Sequence, residues 1–316
     1  MARPARLRRP PPGGVVNARG SGRRRAWAEL LRVSALCTVP GDVLAGAAAA
    51  GRAPGRRGAL AAGASVCLYE AGMALNDWAD RDVDAAERPH RPLPSGRVTP
   101  GAALAAATGL TVAGLGLAAA AGRPALVTAG ALAGTVWAYD LRLKNTPAGP
   151  LAMAGARALD LLLGATATAP AVRDARHAVR RALPSAALLG AHTLAVTAVS
   201  RHEERGGTAL PPLAALATTA AVSRALAGRP ARPEGLRSSA TAGLCIAYGA
   251  TAARPYVHAA LNPSPHLTRR AVGGGIRAMI PLQAALAARA GAPTLGLPLL
   301  ALLPIARRLS RKVSPT

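Results

Sequence analysis

The chain has 316 residues, 51% of them hydrophobic, with no Phe, 2% aromatics, and 39 Lys and Arg against 14 Asp and Glu. Its basic residues lie between long uncharged segments, not on a polar surface interleaved with stacking rings, which excludes a nucleic-acid partner. The net charge of +25 follows instead from a coding bias that favours Ala, Gly, Arg and Pro and leaves only two lysines, Lys144 and Lys312.

In chain order, residues 1–26 are rich in Arg, Pro and Gly and read as a disordered basic tail. Residues 27–316 form a membrane domain. Its first helix is expected over 27–50, in spite of Pro40 and Asp42, because the segment lacks a clean signal-peptide cleavage site. Further apolar spans fall at 57–77, 101–121, 124–141, 149–171, 183–200, 208–227, 238–256, 271–290 and 293–306, the last two counting as one span and a partial one. A run of roughly 20 apolar residues crosses a bilayer, and 101–122 carries no charge at all. Ala and Gly make each span weakly hydrophobic, but small residues suit close helix packing in lipid. Cys37, Cys67 and Cys245 lie inside apolar segments without metal-ligand spacing and read as small buried hydrophobes. With the basic N-terminus in the cytoplasm, roughly 22 basic residues fall inside and roughly 12 outside, the sense that the positive-inside rule requires. The loops at 76–100, 141–148, 201–207 and 257–270 then face the cytoplasm of a multi-pass cell-membrane protein.

Negative charge is concentrated in "NDWADRDVDAAERPHRPLPSG", residues 76–96. On a helix, with Asp77 at zero, Asp80 lies near −60°, Asp84 near −20° and Asn76 near −100°, so three carboxylates and an amide share a face. Asp82 points away, near +140°, and is solvated. Glu70, two turns earlier, shares that face deeper in the span, as a functional group or the partner of a bundle arginine. Crowded carboxylates repel unless a cation lies among them. Hard oxygen ligands suit Mg2+, which commonly bridges a few carboxylates to substrate phosphates.

This stretch, with its trailing R-P-L-P-S-G, resembles the first aspartate-rich motif of the UbiA family of intramembrane prenyltransferases. Repeated spans, a Tyr-and-Lys loop and a second acidic loop extend the resemblance over most of the chain. It implies an all-α, polytopic membrane bundle of about nine transmembrane helices around a central cavity. It implies Mg2+ as cofactor, and transfer of a prenyl group from an allylic prenyl diphosphate to a small, often aromatic acceptor within the lipid bilayer. By motif match, Asn76, Asp77, Asp80 and Asp84 take metal and diphosphate roles. "YDLRLKNTPAGP", 139–150, supplies Tyr139 and Lys144. Asp77, Asp80, Tyr139 and Lys144 are the expected catalytic set, and Asn76, Arg88, Arg91, Lys144 and Arg201 the expected diphosphate ligands. A lysine retained against an arginine bias points to a chemical need for Lys144, although such a residue can also merely snorkel. The chemistry fits independently: a C–O bond to diphosphate breaks when the leaving charge is neutralised, and the allylic cation needs a dry cavity.

Arg157 and Asp160, in "GARALDLLLG", stand at a spacing where they pair with each other; family members often carry Asn near Asp160. The second motif departs from the family's D-x-x-x-D. "SRHEERGG", 200–207, has Ser200 where the first aspartate is expected and offers Glu203 and Glu204 as metal ligands. This variant resembles UbiA-like proteins of the EboC type. His202 reads as solvated and His192 as a satisfied bundle residue. Two other readings stay open: a non-catalytic relative that binds or moves an isoprenoid or lipid-linked metabolite, and a transporter with an acidic cation site. The second has no use for the R-P-L-P-S-G tail or the Lys144 loop.

Overall fold

Long runs of Ala and Leu, good helix formers with little side-chain entropy to lose, make helices wherever Pro and Gly do not intervene. The computed structural model describes residues 15–32, 38–169, 171–204, 206–228, 235–296 and 299–300. Its helices are α1 (Val15–Leu30), α2 (Pro40–Ala49), α3 (Gly55–Ala79), α4 (Arg81–Glu87), α5 (Pro100–Ala121), α6 (Arg123–Ala138), α7 (Gly149–Ala167), α8 (Val172–Ser200), α9 (Leu210–Ala227), α10 (Gly235–Leu261) and α11 (Pro265–Arg289). A π-helical turn, Tyr139–Leu143, prolongs α6. Proline opens several of these helices, where its missing N–H costs nothing. Thr99 and Ser264 cap α5 and α11, their hydroxyls accepting from the N–H of Ala102 and Leu267 at 3.3 and 3.5 Å.

Among the described residues, five helices are long and apolar enough to cross a membrane: α3, α5, α8, α9 and α11. At 29 residues, α8 is about 43 Å long. The helices close a ring in which α3 packs on α5, α5 on α6, α6 on α7, α7 on α8, and α9 and α10 lead to α11, which returns to α2. Short α2 lies against α3, α7, α8 and α11 together.

Several expectations are corrected. Residues 15–26, read as part of a disordered tail, are helical, and Ala26 and Leu30 are buried with Leu75, Leu93 and Val98; residues 1–14 lie outside the described residues. The helix expected over 27–50 is divided: α1 ends at Leu30 and Pro40 starts the short α2 instead of continuing a helix. The acidic stretch is divided too. Asp80, at φ −90° and ψ 1°, ends α3 and precedes α4. Of the last expected span, 293–306, residues 293–296 and 299–300 are helical and the others lie outside the described residues. Cys37 also lies outside them, while Cys67 and Cys245 are free thiols.

α2 crosses α7 at backbone contact. A Cβ on Gly46 would stand 1.8 Å from the Leu161 carbonyl oxygen, and one on Gly164 would stand 2.0 Å from that of Val43. Only glycine permits this approach. Beside the crossing, Arg157 does not pair with Asp160 as its spacing suggested. Its Nη1 reaches Asp42 Oδ2 at 2.5 Å and its Nη2 donates to Thr38 Oγ1 at 3.1 Å. Gln283 of α11 donates to Asp42 Oδ1 at 2.6 Å and to the Thr38 carbonyl at 2.7 Å. Three helices are thereby tied at one buried point.

Gly46→Val or Gly164→Val drives a side chain into backbone and should destabilise by at least about 1–3 kcal/mol. Gly130→Val, on an exposed helix face with nothing within 4 Å of a Cβ, should leave stability unchanged. Thermal unfolding in detergent compares them; equal midpoints for all three would refute the crossing.

Candidate active site

The charged end of the bundle is assembled from the C-terminal end of α3, α4 and the loop after it, the turn after α6, and the residues after α8. Asp80 falls in the sparsely populated region between helix and strand, where active-site residues recur. Its carboxylate pairs with the Lys144 ammonium, which is itself mostly buried. Asp77 and Asp84 stay together, as the helix face implied. Arg91 Nη1 stands between them, 3.6 Å from Asp77 Oδ1 and 2.7 Å from Asp84 Oδ2. Arg88 approaches Asp84 at 3.6 Å and also pairs with Glu204, joining α4 to the loop after α8. Arg201 donates to the carbonyls of Lys144 and Thr146. Asp77 and Asp84 are buried, whereas the Glu204 side chain is 63% exposed.

Two members were missed by sequence reasoning. Asp140, buried directly after Tyr139, accepts from Asn76 Nδ2 at 3.1 Å. Arg32 lies 3.4 Å from Asp77 Oδ1 and 3.5 Å from Asn76 Oδ1. Its φ of 47° is a left-handed conformation that costs a side-chain-bearing residue free energy. The signals were present: a carboxylate inside the quoted Tyr-and-Lys stretch, and a lone arginine at the edge of an apolar segment.

The second motif is spent differently. The Ser200 hydroxyl donates to the Thr197 carbonyl of its own helix at 2.9 Å. Burial pushes the Glu203 carboxyl above its ordinary range, against the opposing pull of Arg269 and Arg88. His202, expected to be solvated, is half-buried and lies 3.2 Å from the Ala198 carbonyl. Asp82 is solvated, as expected, 3.5 Å from Arg81. His192 is satisfied inside the bundle by the Tyr248 hydroxyl and the Gly275 carbonyl, each at 3.0 Å. Glu70 is buried and not matched to an arginine: neither carboxylate oxygen has a hydrogen-bond partner among the described residues.

Behind the charged end, α3, α6 and α7 enclose a cavity of about 190 Å³. Arg32, Asn76, Tyr139 and Asp140 line one end, and Leu68, Leu132, Val136, Met153 and Ala156 the walls. Ser65, Arg157 and Asp160 line the other end. Among the described residues no three His, Cys, Asp or Glu side chains converge as a metal cage. Mg2+ seldom needs one, since it usually takes one or two carboxylates and completes its shell with water and substrate phosphate. Asp77 and Asp84 fit that use, because a single guanidinium nitrogen already bridges them.

A profile of the UbiA prenyltransferase family matches residues 34–261. Similar curated proteins include the digeranylgeranylglyceryl phosphate synthase of Methanopyrus kandleri, 38% identical over 128 residues, which are 39% of this chain and 45% of that protein. The synthase of Ignicoccus hospitalis is 33% identical over 188 residues, 59% of this chain and 61% of its own. The chain thus spans about half the length of these relatives. Among solved structures, a UbiA homologue from Aeropyrum pernix superposes with a TM-score of 0.58 at 20% identity, over 77% of this chain and 96% of that one. A UbiA homologue from Archaeoglobus fulgidus, bound to GPP and Mg2+, gives 0.58 at 19% identity, over 85% and 99%. At such identities the superpositions establish a shared fold, that of a polytopic membrane helical bundle. With a ring of helices around a cavity, carboxylates gathered at one end of it, and the family profile covering well over half its length, the chain belongs to the UbiA prenyltransferase family.

Proposed function

We propose that this protein is a Mg2+-dependent prenyltransferase that moves a prenyl group from an allylic prenyl diphosphate to a small acceptor inside the membrane. The observation that carries this reading is the placement of carboxylates and cations at one end of an apolar cavity. Bound there, Mg2+ would supply Lewis-acid neutralisation of the departing diphosphate, with Asp77, Asp84 and Asn76 to hold it and Asp80 beside them. Arg88, Arg91, Lys144 and Arg201 bind phosphate oxygens and stabilise the charge that grows on them as the C–O bond breaks. The apolar walls keep water from the allylic cation, and the half-buried Tyr139 offers its ring face to that cation. The acceptor gives up a proton as the new bond forms. The GPP held by the solved homologue and the names of the curated relatives support this choice of donor class.

One observation favours the runner-up, a non-catalytic isoprenoid binder. The second motif lacks an aspartate at Ser200, and its Glu204 is tied to Arg88. Incubation of the purified protein with radiolabelled prenyl diphosphates and a membrane extract separates the two. Labelled product should form with Mg2+ and fail with chelator; its absence under every donor would favour the binder.

Asp77→Ala should lower transfer at least about 100-fold, the scale of losing a charged transition-state group. It should also abolish Mg2+-dependent donor binding while the protein stays folded in detergent. Undiminished binding would remove Asp77 from the site. Glu204→Gln should raise the Mg2+ concentration needed for half-maximal transfer, and superimposable titrations would take Glu204 out of it. For orientation, a cysteine replacing the exposed Ser95 in a Cys-free background should react with an impermeant thiol reagent only from the cytoplasmic side. Labelling of intact cells from outside would invert the topology.

A further inference from the structure

The inner end of the cavity is polar, in contrast to its walls. Asp160 on α7 is buried, and its Oδ2 accepts from Ser65 Oγ of α3 at 2.7 Å. Its Oδ1 has no hydrogen-bond donor among the described residues. Arg157, one turn earlier on the same helix, is not its partner: it gives Nη1 to Asp42 and Nη2 to Thr38 and to Met279 Sδ at 2.9 Å. The ionisable groups facing Asp160 are Asp42 of α2, whose side chain interacts with it directly, and Arg157 itself, and Tyr69 of α3 faces Arg157. Asp160 therefore closes an apolar cavity with a buried polar side chain, one oxygen of which has no hydrogen-bond partner among the described residues.

The depth of this end follows from the helix. Asn76, at the diphosphate end, and Ser65 are both on α3 and both line the cavity. The eleven-residue step from one to the other corresponds to a rise of about 16 Å. An isoprene unit adds four carbons along a chain, about 5 Å at ordinary C–C bond lengths. Two units, about 10 Å, end among Leu68, Leu132 and Val136. Four units, about 20 Å, would press a hydrocarbon terminus onto Asp160 and Ser65. An unpartnered polar atom there needs a hydrogen-bond partner, which a methyl group cannot supply, so a tail long enough to cover it is disfavoured.

We propose that Ser65 and Asp160 form a polar stop that limits the donor to short prenyl chains, of about two or three isoprene units. This rests on the donor assignment made under the proposed function and adds the substrate length and the residues that set it. Asp160 acts on selectivity without touching the reacting carbon, so its effect falls on the ratio between donors and not on the chemical step.

The test is equilibrium competition against radiolabelled geranyl diphosphate on the purified full-length chain with Mg2+. The competitors are unlabelled dimethylallyl, geranyl, farnesyl and geranylgeranyl diphosphates. Geranylgeranyl diphosphate should compete at least tenfold more weakly than geranyl diphosphate. Asp160→Ala, which removes the carboxylate and opens space, should shrink that ratio to about threefold or less. Asp160→Asn, which keeps a polar side chain and an acceptor for Ser65, should retain it. Should Asp160→Ala fail to fold, Ser65→Ala should weaken the discrimination in the same direction. Equal competition by both donors in the wild type overturns the stop and leaves the prenyl-diphosphate site standing, as does an unchanged ratio in the folded Ala variants. No specific binding of labelled geranyl diphosphate at all would remove the donor site, and the stop with it.

Discussion

Arg157 and a fully buried Asp42 form an ion pair deep in the bundle, and α2, α7 and α11 meet around it. A buried charge deprived of its partner costs about 3–5 kcal/mol, so the pair fixes α2 against α7 far more firmly than the weak apolar contact of Ala and Gly. The glycine crossing brings the two backbones close enough for the pair to form, and Gln283 adds α11 by satisfying the other Asp42 oxygen. With α7 held in this way, Met153, Ala156 and Asp160 face α3 and α6 across the cavity. The polar knot that seats α7 borders the cavity, with Arg157 belonging to both.

At the charged end the same economy of partners recurs. Asp77, Asp80, Asp84 and Glu204 each face a cation, and Asp140 faces the amide of Asn76. In the reading proposed above, the guanidinium and ammonium groups would exchange carboxylates for phosphate oxygens, which would leave Asp77 and Asp84 free to hold a metal ion. Such a site needs little reorganisation on binding, since Asp77 and Asp84 are already buried and held in place by their cations.

What could be read from the sequence were features carried by residue type at short range. Uncharged runs marked the spans, and the spacing of Asp77 and Asp84 correctly joined them, seven residues apart and on one side. The break at Asp80 was hidden, because a helix period assumes the helix continues; the side chain that turns toward Lys144 does so across the bundle. Arg32 and Asp140 escaped notice for the same reason, since their roles depend on which helix ends meet. Arg157 was assigned the nearer carboxylate along the chain, whereas packing brought it to a residue 115 positions away. Local spacing predicts contacts within a helix and is silent about a crossing made possible by two glycines.

The length of α8 has a further consequence. Its 29 residues rise about 43 Å, while the hydrocarbon core of a bilayer is about 30 Å thick. The excess, about nine residues, matches its first turns, where Arg173, Arg176, Arg180 and Arg181 are all exposed. These arginines act as a float line. In a bilayer they would meet lipid phosphates at the surface and resist sliding of the helix inward. On the reading proposed above, the Ser200–Glu204 loop at the other end of α8 would stand level with the opposite headgroups, where the diphosphate of a donor and its apolar tail could be met at the same time.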